Sequence, residues 1–113
     1  MNGPIAFLTV DQVLAIHRRM IDEFGGVHDL RDRGLFESAV AMPAAKFAGV
    51  FLHATIPAMA AAYLFHLCGN HAFNDGNKRV ALAAAETFLL LNEHELLADK
   101  DQLEELTMGV AEG

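Results

Sequence analysis

Residues 71–79, with the sequence His-Ala-Phe-Asn-Asp-Gly-Asn-Lys-Arg, concentrate side chains that can bind phosphate and move protons. The imidazole of His71 could take a proton from an attacking hydroxyl group. Asp75 follows four residues later, and its carboxylate is the kind of ligand that holds Mg²⁺ together with substrate phosphates. The spacing therefore predicts a general base and a metal ligand within one loop.

The second half of this segment has the composition of an anion-binding site. Gly76 allows the backbone to approach a phosphate closely. Asn77 would begin a helix whose first N–H groups have no intrahelical partner. Lys78 and Arg79 add full positive charges, and an arginine can bind phosphate oxygens through two parallel hydrogen bonds. We therefore expect these four residues to bind phosphate groups.

Taken singly, these residues could have ordinary structural roles. Asp75 could cap the following helix, Lys78 and Arg79 could be solvated charges, and a lone histidine is more often structural than catalytic. No comparable context surrounds the other histidines, which are His17, His28, His53, His66 and His94. Of these, His66 is expected to lie in the core. No histidine pair has the His-Glu-x-x-His spacing of a zinc site.

Composition limits the class of protein. A chain of 113 residues forms one domain, and 53% hydrophobic residues rich in Ala and Leu favour helices. The net charge of −7 argues against a direct nucleic-acid partner. The single cysteine, Cys68, is expected to be a small buried hydrophobic residue. No signal peptide is visible, and the apolar stretches are too short to cross a membrane, so a cytoplasmic location is expected.

In the N-terminal half, the sequence predicts two helices and two loops. A capping box at residues 9–12 opens the first helix, which Gly25 and Gly26 end. Residues 27–34 carry four charges without periodicity, which indicates a surface loop. A short helix is predicted from about Leu35 to Met42. Residues 44–54 are expected to form a loop or flap with one hydrophobic anchor, and no strand is predicted.

In the C-terminal half, two strongly apolar helices are predicted, from Thr55 to about Leu67 and from Asn77 to Leu91. A polar loop at residues 69–76 joins them. A last, short amphipathic helix is predicted over residues 101–108. The expected fold is therefore all-α: a compact bundle with two central buried helices joined by the active-site loop.

Residues 71–79 resemble the signature of the Fic/Doc family, His-x-Phe-x-(Asp/Asn)-Gly-Asn-x-Arg. The resemblance extends to an N-terminal block at residues 31–43. At residues 78–82, Lys-Arg-Val-Ala-Leu has the form found in the Doc (death-on-curing) branch. This family resemblance implies a single Fic/Doc domain over residues 1–113, without the C-terminal helix that is usual in the family.

The resemblance also implies a toxin-like activity. The γ-phosphoryl of ATP would move, with Mg²⁺, to a Ser/Thr hydroxyl of a protein target. That target would be elongation factor Tu, so that translation is blocked. His71 would be the general base and Asp75 the metal ligand, with residues 76–77 forming the anion hole and residues 78–79 on phosphate oxygens. A small antitoxin with a disordered tail would be the partner.

Three departures from the broader Fic pattern bear on the reaction. Ala72 replaces a proline, which affects loop stiffness. Leu82 replaces a second arginine, and Lys78 replaces a glycine. The last two favour phosphoryl transfer over transfer of AMP. AMP transfer nevertheless stays open as the alternative reaction, as does a catalytically silent relative that only binds a partner protein.

Overall fold

In a computed structural model of the chain, the described residues are 4–92, and they form a mostly helical fold. The described helices are α1 (Val10–Phe24), α2 (Arg33–Ala41), α3 (Ile56–Gly69) and α4 (Asn77–Leu91), with a 3₁₀ turn at Met42–Ala44. The predicted all-α class is confirmed. The helix predicted over residues 101–108 lies outside the described residues.

Side-chain caps define where the first two helices begin. The Thr9 hydroxyl accepts a hydrogen bond from the Gln12 N–H, and the Gln12 side chain accepts one from the Thr9 N–H. This confirms the predicted capping box. The second helix begins at Arg33 rather than at Leu35, because the Asp32 carboxylate accepts from the Leu35 N–H and caps the helix two residues earlier.

The predicted flap contains a small antiparallel hairpin. Strands β1 (Lys46–Phe47) and β2 (Val50–Phe51) pair, and Gly49 turns the chain at φ +80°. The expectation of no strand was therefore wrong here. Strands of two residues are too short to show the alternation of apolar and polar side chains from which a strand is predicted. Phe51 packs against the core with its ring centroid 5.8 Å from that of Phe7, as expected for a single anchor.

The two central helices form the core. Their buried side chains include Met59, Tyr63, Leu67, Val80 and Phe88. The alanines of α4 let α3 approach closely, and Cys68 is buried as expected. None of the described helices is long and apolar enough to span a bilayer.

At the C-terminal end of α4, a buried asparagine joins the two ends of the described chain. The Asn92 side chain is 0% exposed. Its Oδ1 accepts from the Ala6 N–H at 2.9 Å, and its Nδ2 donates to the Ala6 carbonyl at 3.1 Å and to the Phe88 carbonyl at 2.8 Å. Every polar atom of this buried amide is thereby paired, as buried polar groups require.

Candidate active site

His71 lies directly after the C-terminal cap of α3. The cap residue is Asn70, and His71 itself has φ +49°, in the left-handed region that glycine usually occupies after a helix. A non-glycine residue there costs about 1 kcal/mol or more. The imidazole is exposed at the open side of the loop.

The loop is held from inside by Phe73 and Asn77. Phe73 is buried, and its ring contacts that of Phe36. The Asn77 Oδ1 accepts from the Phe73 N–H at 3.1 Å, while its Nδ2 donates to the Phe73 carbonyl at 2.8 Å. The amide of Asn77 therefore closes the loop onto the start of α4.

Asp75 does not cap α4, so the capping interpretation is wrong. The cap residue is Gly76, at φ +80°, and it makes no side-chain cap. The Asp75 Oδ2 instead accepts from the Val27 N–H at 3.0 Å. No group of three or more potential metal ligands occurs among residues 4–92. Within residues 71–79, the carboxylate of Asp75 is the side chain whose chemistry suits Mg²⁺.

Backbone pairing holds the predicted surface loop of residues 27–34 against the site. The N–H groups of Arg31 and Asp32 both donate to the Ala72 carbonyl, and the Asn74 N–H donates to the Asp29 carbonyl. The loop is largely exposed, as expected, yet it forms one wall of the site. Charge content alone could not reveal this pairing.

The backbone N–H groups of residues 76–79, at the start of α4, have no hydrogen-bond acceptor among residues 4–92. The first N–H that is paired belongs to Val80, which donates to the Gly76 carbonyl. Within the described part of the chain, no oxygen accepts from the four N–H groups before it. These groups carry the positive end of the dipole of a 15-residue helix. Lys78 is exposed beside them.

The guanidinium of Arg79 lies over an aromatic ring. Its Cζ is 4.7 Å from the ring centroid of Phe24, the last residue of α1. This cation–π contact limits the orientations of an otherwise exposed side chain. Sequence reasoning missed the role of Phe24, because the contact joins two helices that are distant in sequence.

His17 also contributes to the site, and sequence reasoning missed it. The ring is 2% exposed and stacks on Phe73 with centroids 3.6 Å apart. Its Nε2 lies 2.8 Å from the Asp75 carbonyl oxygen. Burial lowers the pKa of His17, which favours the neutral ring. Its place on the apolar face of α1 was the available signal.

The expectation for His66 was wrong. This residue is only partly buried at the edge of α3, and its ring meets Phe65 edge to face. Partial burial and the nearby His53 lower the pKa of His66. It is therefore neither a core residue nor a part of the loop that carries His71.

Comparison with known proteins identifies the family of this chain. Residues 7–89 match the model of the Fic/DOC family, so the chain belongs to that family. It is 50% identical over 78 residues to the toxin Doc of Mycolicibacterium smegmatis, across 69% of this chain and 60% of that relative's length. It is also 31% identical over 106 residues to the protein kinase doc of Escherichia phage P1, across 94% of this chain and 82% of that protein.

Proposed function

We propose that this protein transfers the γ-phosphoryl group of ATP to a Ser/Thr hydroxyl of a protein target. The observation that carries the proposal is the row of N–H groups at residues 76–79, which have no acceptor within the described range 4–92 and directly follow the loop with His71 and Asp75. The names of the two relatives, a toxin Doc and a protein kinase doc, support the same class of reaction.

Each residue of the site has a defined task in this reaction. The imidazole of His71 accepts the proton as the target hydroxyl oxygen bonds to the γ-phosphorus. The bond from the γ-phosphorus to the bridging oxygen breaks, and ADP leaves. Asp75 is the residue that would hold Mg²⁺, which when bound offsets the negative charge of the phosphates. Because phosphoryl transfer depends on position and charge, the remaining residues act by binding.

Binding falls to the start of α4. The N–H groups of residues 76–79 offer hydrogen bonds to phosphate oxygens, and the helix dipole adds to their attraction for negative charge. Asn77 contributes through its N–H, since its side chain is engaged with Phe73. Lys78 and Arg79 add charged contacts, and the guanidinium of Arg79 stays on the Phe24 ring when it does so.

Two side chains favour transfer of the γ-phosphoryl over transfer of AMP. With a glycine at position 78, two successive phosphates could lie along the helix start, and the α-phosphate would meet the hydroxyl group. Lys78 fills that second subsite. Leu82 packs against the hydrophobic core and offers no charge for a second phosphate. The nucleotide therefore binds in the opposite direction and presents its γ-phosphate to the group that His71 activates.

The target and the partner follow from the same proposal. A toxin of this kind would act in the cytoplasm on elongation factor Tu and thereby block translation. A small antitoxin with a disordered tail would fold on the toxin surface and inhibit it. Co-expression with the neighbouring small reading frame should restore host growth. Harmless expression of an enzymatically competent chain on its own would contradict the toxin role.

The test of the reaction uses ATP labelled separately at the α- and γ-phosphates, with purified elongation factor Tu as the acceptor. The parent should transfer only the γ label, and Lys78→Gly combined with Leu82→Arg should lose that transfer or gain some α transfer. Efficient α transfer by the parent would make the protein an adenylyltransferase. Binding of the target without transfer of either label would leave only a docking role.

A further inference from the structure

We infer that His17 is a positioning residue, which orients the peptide between Asp75 and Gly76 so that the Gly76 N–H faces the nucleotide phosphates. The inference rests on the proposed function, because it names a residue that sets the geometry of the same anion site. His17 lies on α1, 58 residues before Asp75 in the sequence, and belongs to no part of the 71–79 segment.

The inference depends on the orientation of the peptide group between Asp75 and Gly76. A carbonyl oxygen only accepts hydrogen bonds, so the 2.8 Å contact requires that Nε2 of His17 donates to the Asp75 oxygen. In a trans peptide the C=O and the following N–H point in opposite directions. Holding the Asp75 oxygen against α1 therefore turns the Gly76 N–H away from α1. On that side no described residue accepts a hydrogen bond from it.

The surroundings of Gly76 show how closely the loop lies on α1. A Cβ atom at Gly76 would be 3.4 Å from the His17 Nε2 and 3.1 Å from the Ile21 Cδ1. Ile21 is one turn after His17 and is also buried. The two side chains thus form one support beneath the glycine, and a side chain at position 76 would require Ile21 to move by a few tenths of an ångström.

The ring of His17 is itself fixed in place. It stacks on Phe73 at an interplanar angle of 10°, and burial excludes competing water from the hydrogen bond. A phenylalanine at this position would keep the stacked contact and lose the donor. A glutamine would place an amide N–H near the same position and lose the stack. The two substitutions therefore separate positioning from packing.

The test compares His17→Phe and His17→Gln in the full chain, with His66→Phe as the matched control on α3. For each protein, calorimetry measures the affinity for ATP with Mg²⁺, and γ-label transfer gives kcat and KM. We expect His17→Phe to lose about 10- to 100-fold in kcat/KM, since small misplacements of binding groups have effects of this size. His17→Gln should retain more activity than His17→Phe, and His66→Phe should match the parent.

Activity of His17→Phe equal to or above that of His17→Gln would overturn the inference, because packing alone would then explain the residue. A parent that neither binds ATP nor transfers the label would instead contradict the proposed function. Ring ¹⁵N resonances of the parent provide a test that needs no variant. The proton should reside on Nε2 at neutral pH, and a proton on Nδ1 would also overturn the inference.

Discussion

The two ends of α4 use the same hydrogen-bonding device for different purposes. At each end an asparagine amide pairs with both the N–H and the carbonyl of one residue from another segment. Asn77 pairs in this way with Phe73, and Asn92 pairs with Ala6. In both places the amide makes the two hydrogen bonds that the backbone of a neighbouring β-strand would make. It thereby attaches residues outside α4 to an end of the helix.

The two ends of α4 differ in whether the polar groups beside the asparagine have hydrogen-bond partners. Asn92 is fully buried, and its amide also donates to the Phe88 carbonyl, so every polar atom of this side chain is paired. Asn77 is only partly buried, and the N–H groups beside it have no acceptor within the described part of the chain. Unpaired N–H groups do not help the fold, yet they attract phosphate. We therefore expect changes at the C-terminal end to lower stability and changes at the N-terminal end to lower activity.

The largest effect should come from His71, at the loop that precedes the N-terminal end. His71→Ala and His71→Gly should each lower kcat by about 10²- to 10⁴-fold, because the general base is lost. The left-handed backbone at this position suits glycine, so His71→Gly should unfold at the same urea concentration as the parent or a higher one.

Urea denaturation and transfer assays on the same samples provide the check. The two variants serve as controls for each other, since both lack the imidazole and only the glycine suits φ +49°. Turnover of either variant within about threefold of the parent would remove His71 from the mechanism. A clear loss of stability in His71→Gly would show that the ring supports the fold.

At the C-terminal end, Asn92→Ala should lower the free energy of unfolding by about 2–4 kcal/mol, because it removes a fully buried amide, leaves the buried Phe88 carbonyl unpaired and breaks two part-buried hydrogen bonds to Ala6. The turnover of the molecules that remain folded should stay near that of the parent. Urea denaturation with a transfer assay in dilute urea measures both quantities. Undiminished stability would contradict the role assigned to this amide.

The same substitution at the other end sharpens the comparison. Asn77 is half-buried and has no third, buried hydrogen bond like that of Asn92 to Phe88, so Asn77→Ala should cost only about 1 kcal/mol in stability. It should lower kcat/KM by about tenfold or more, because the N–H groups of the helix start lose their fixed position relative to His71. The expected contrast is that Asn92→Ala mainly lowers the free energy of unfolding and Asn77→Ala mainly lowers kcat/KM. If the two variants lose stability and activity in the same proportion, this contrast between the two ends of α4 is wrong.

The smallest effect is expected at Phe24. Phe24→Leu removes the ring beneath Arg79 and should lower kcat/KM about two- to fivefold, the size of an exposed cation–π contact. Phe65→Leu is a matched control, because Phe24 and Phe65 are each 57% exposed and Phe65 lies on α3. Steady-state kinetics at varied ATP concentration measures the difference. An equal response of the two variants would show that the Phe24 ring does not orient the guanidinium.

Features that depend on residues close together in sequence could be predicted before the structure. The capping box at Thr9, the glycine stop at Gly25, and the start of α4 at Asn77 all follow from local hydrogen bonding and backbone preference. The buried character of α3 and α4 follows from their apolar composition. The compact signature at residues 71–79 likewise indicated the family, because all of its characteristic residues lie within nine positions of one another.

Only the tertiary structure decided which distant residues complete the site. His17 meets the Asp75 carbonyl across 58 residues of sequence, and Asn92 meets Ala6 across 86. The local sequence indicates that such side chains lie on a helix face or at a helix end. It does not indicate which distant residue forms the hydrogen bond with them. The partner depends on how α1 packs against α4 and on the path of the intervening chain. The support beneath Gly76 therefore arises from packing, whereas the N–H groups that it orients arise from the sequence of the loop itself.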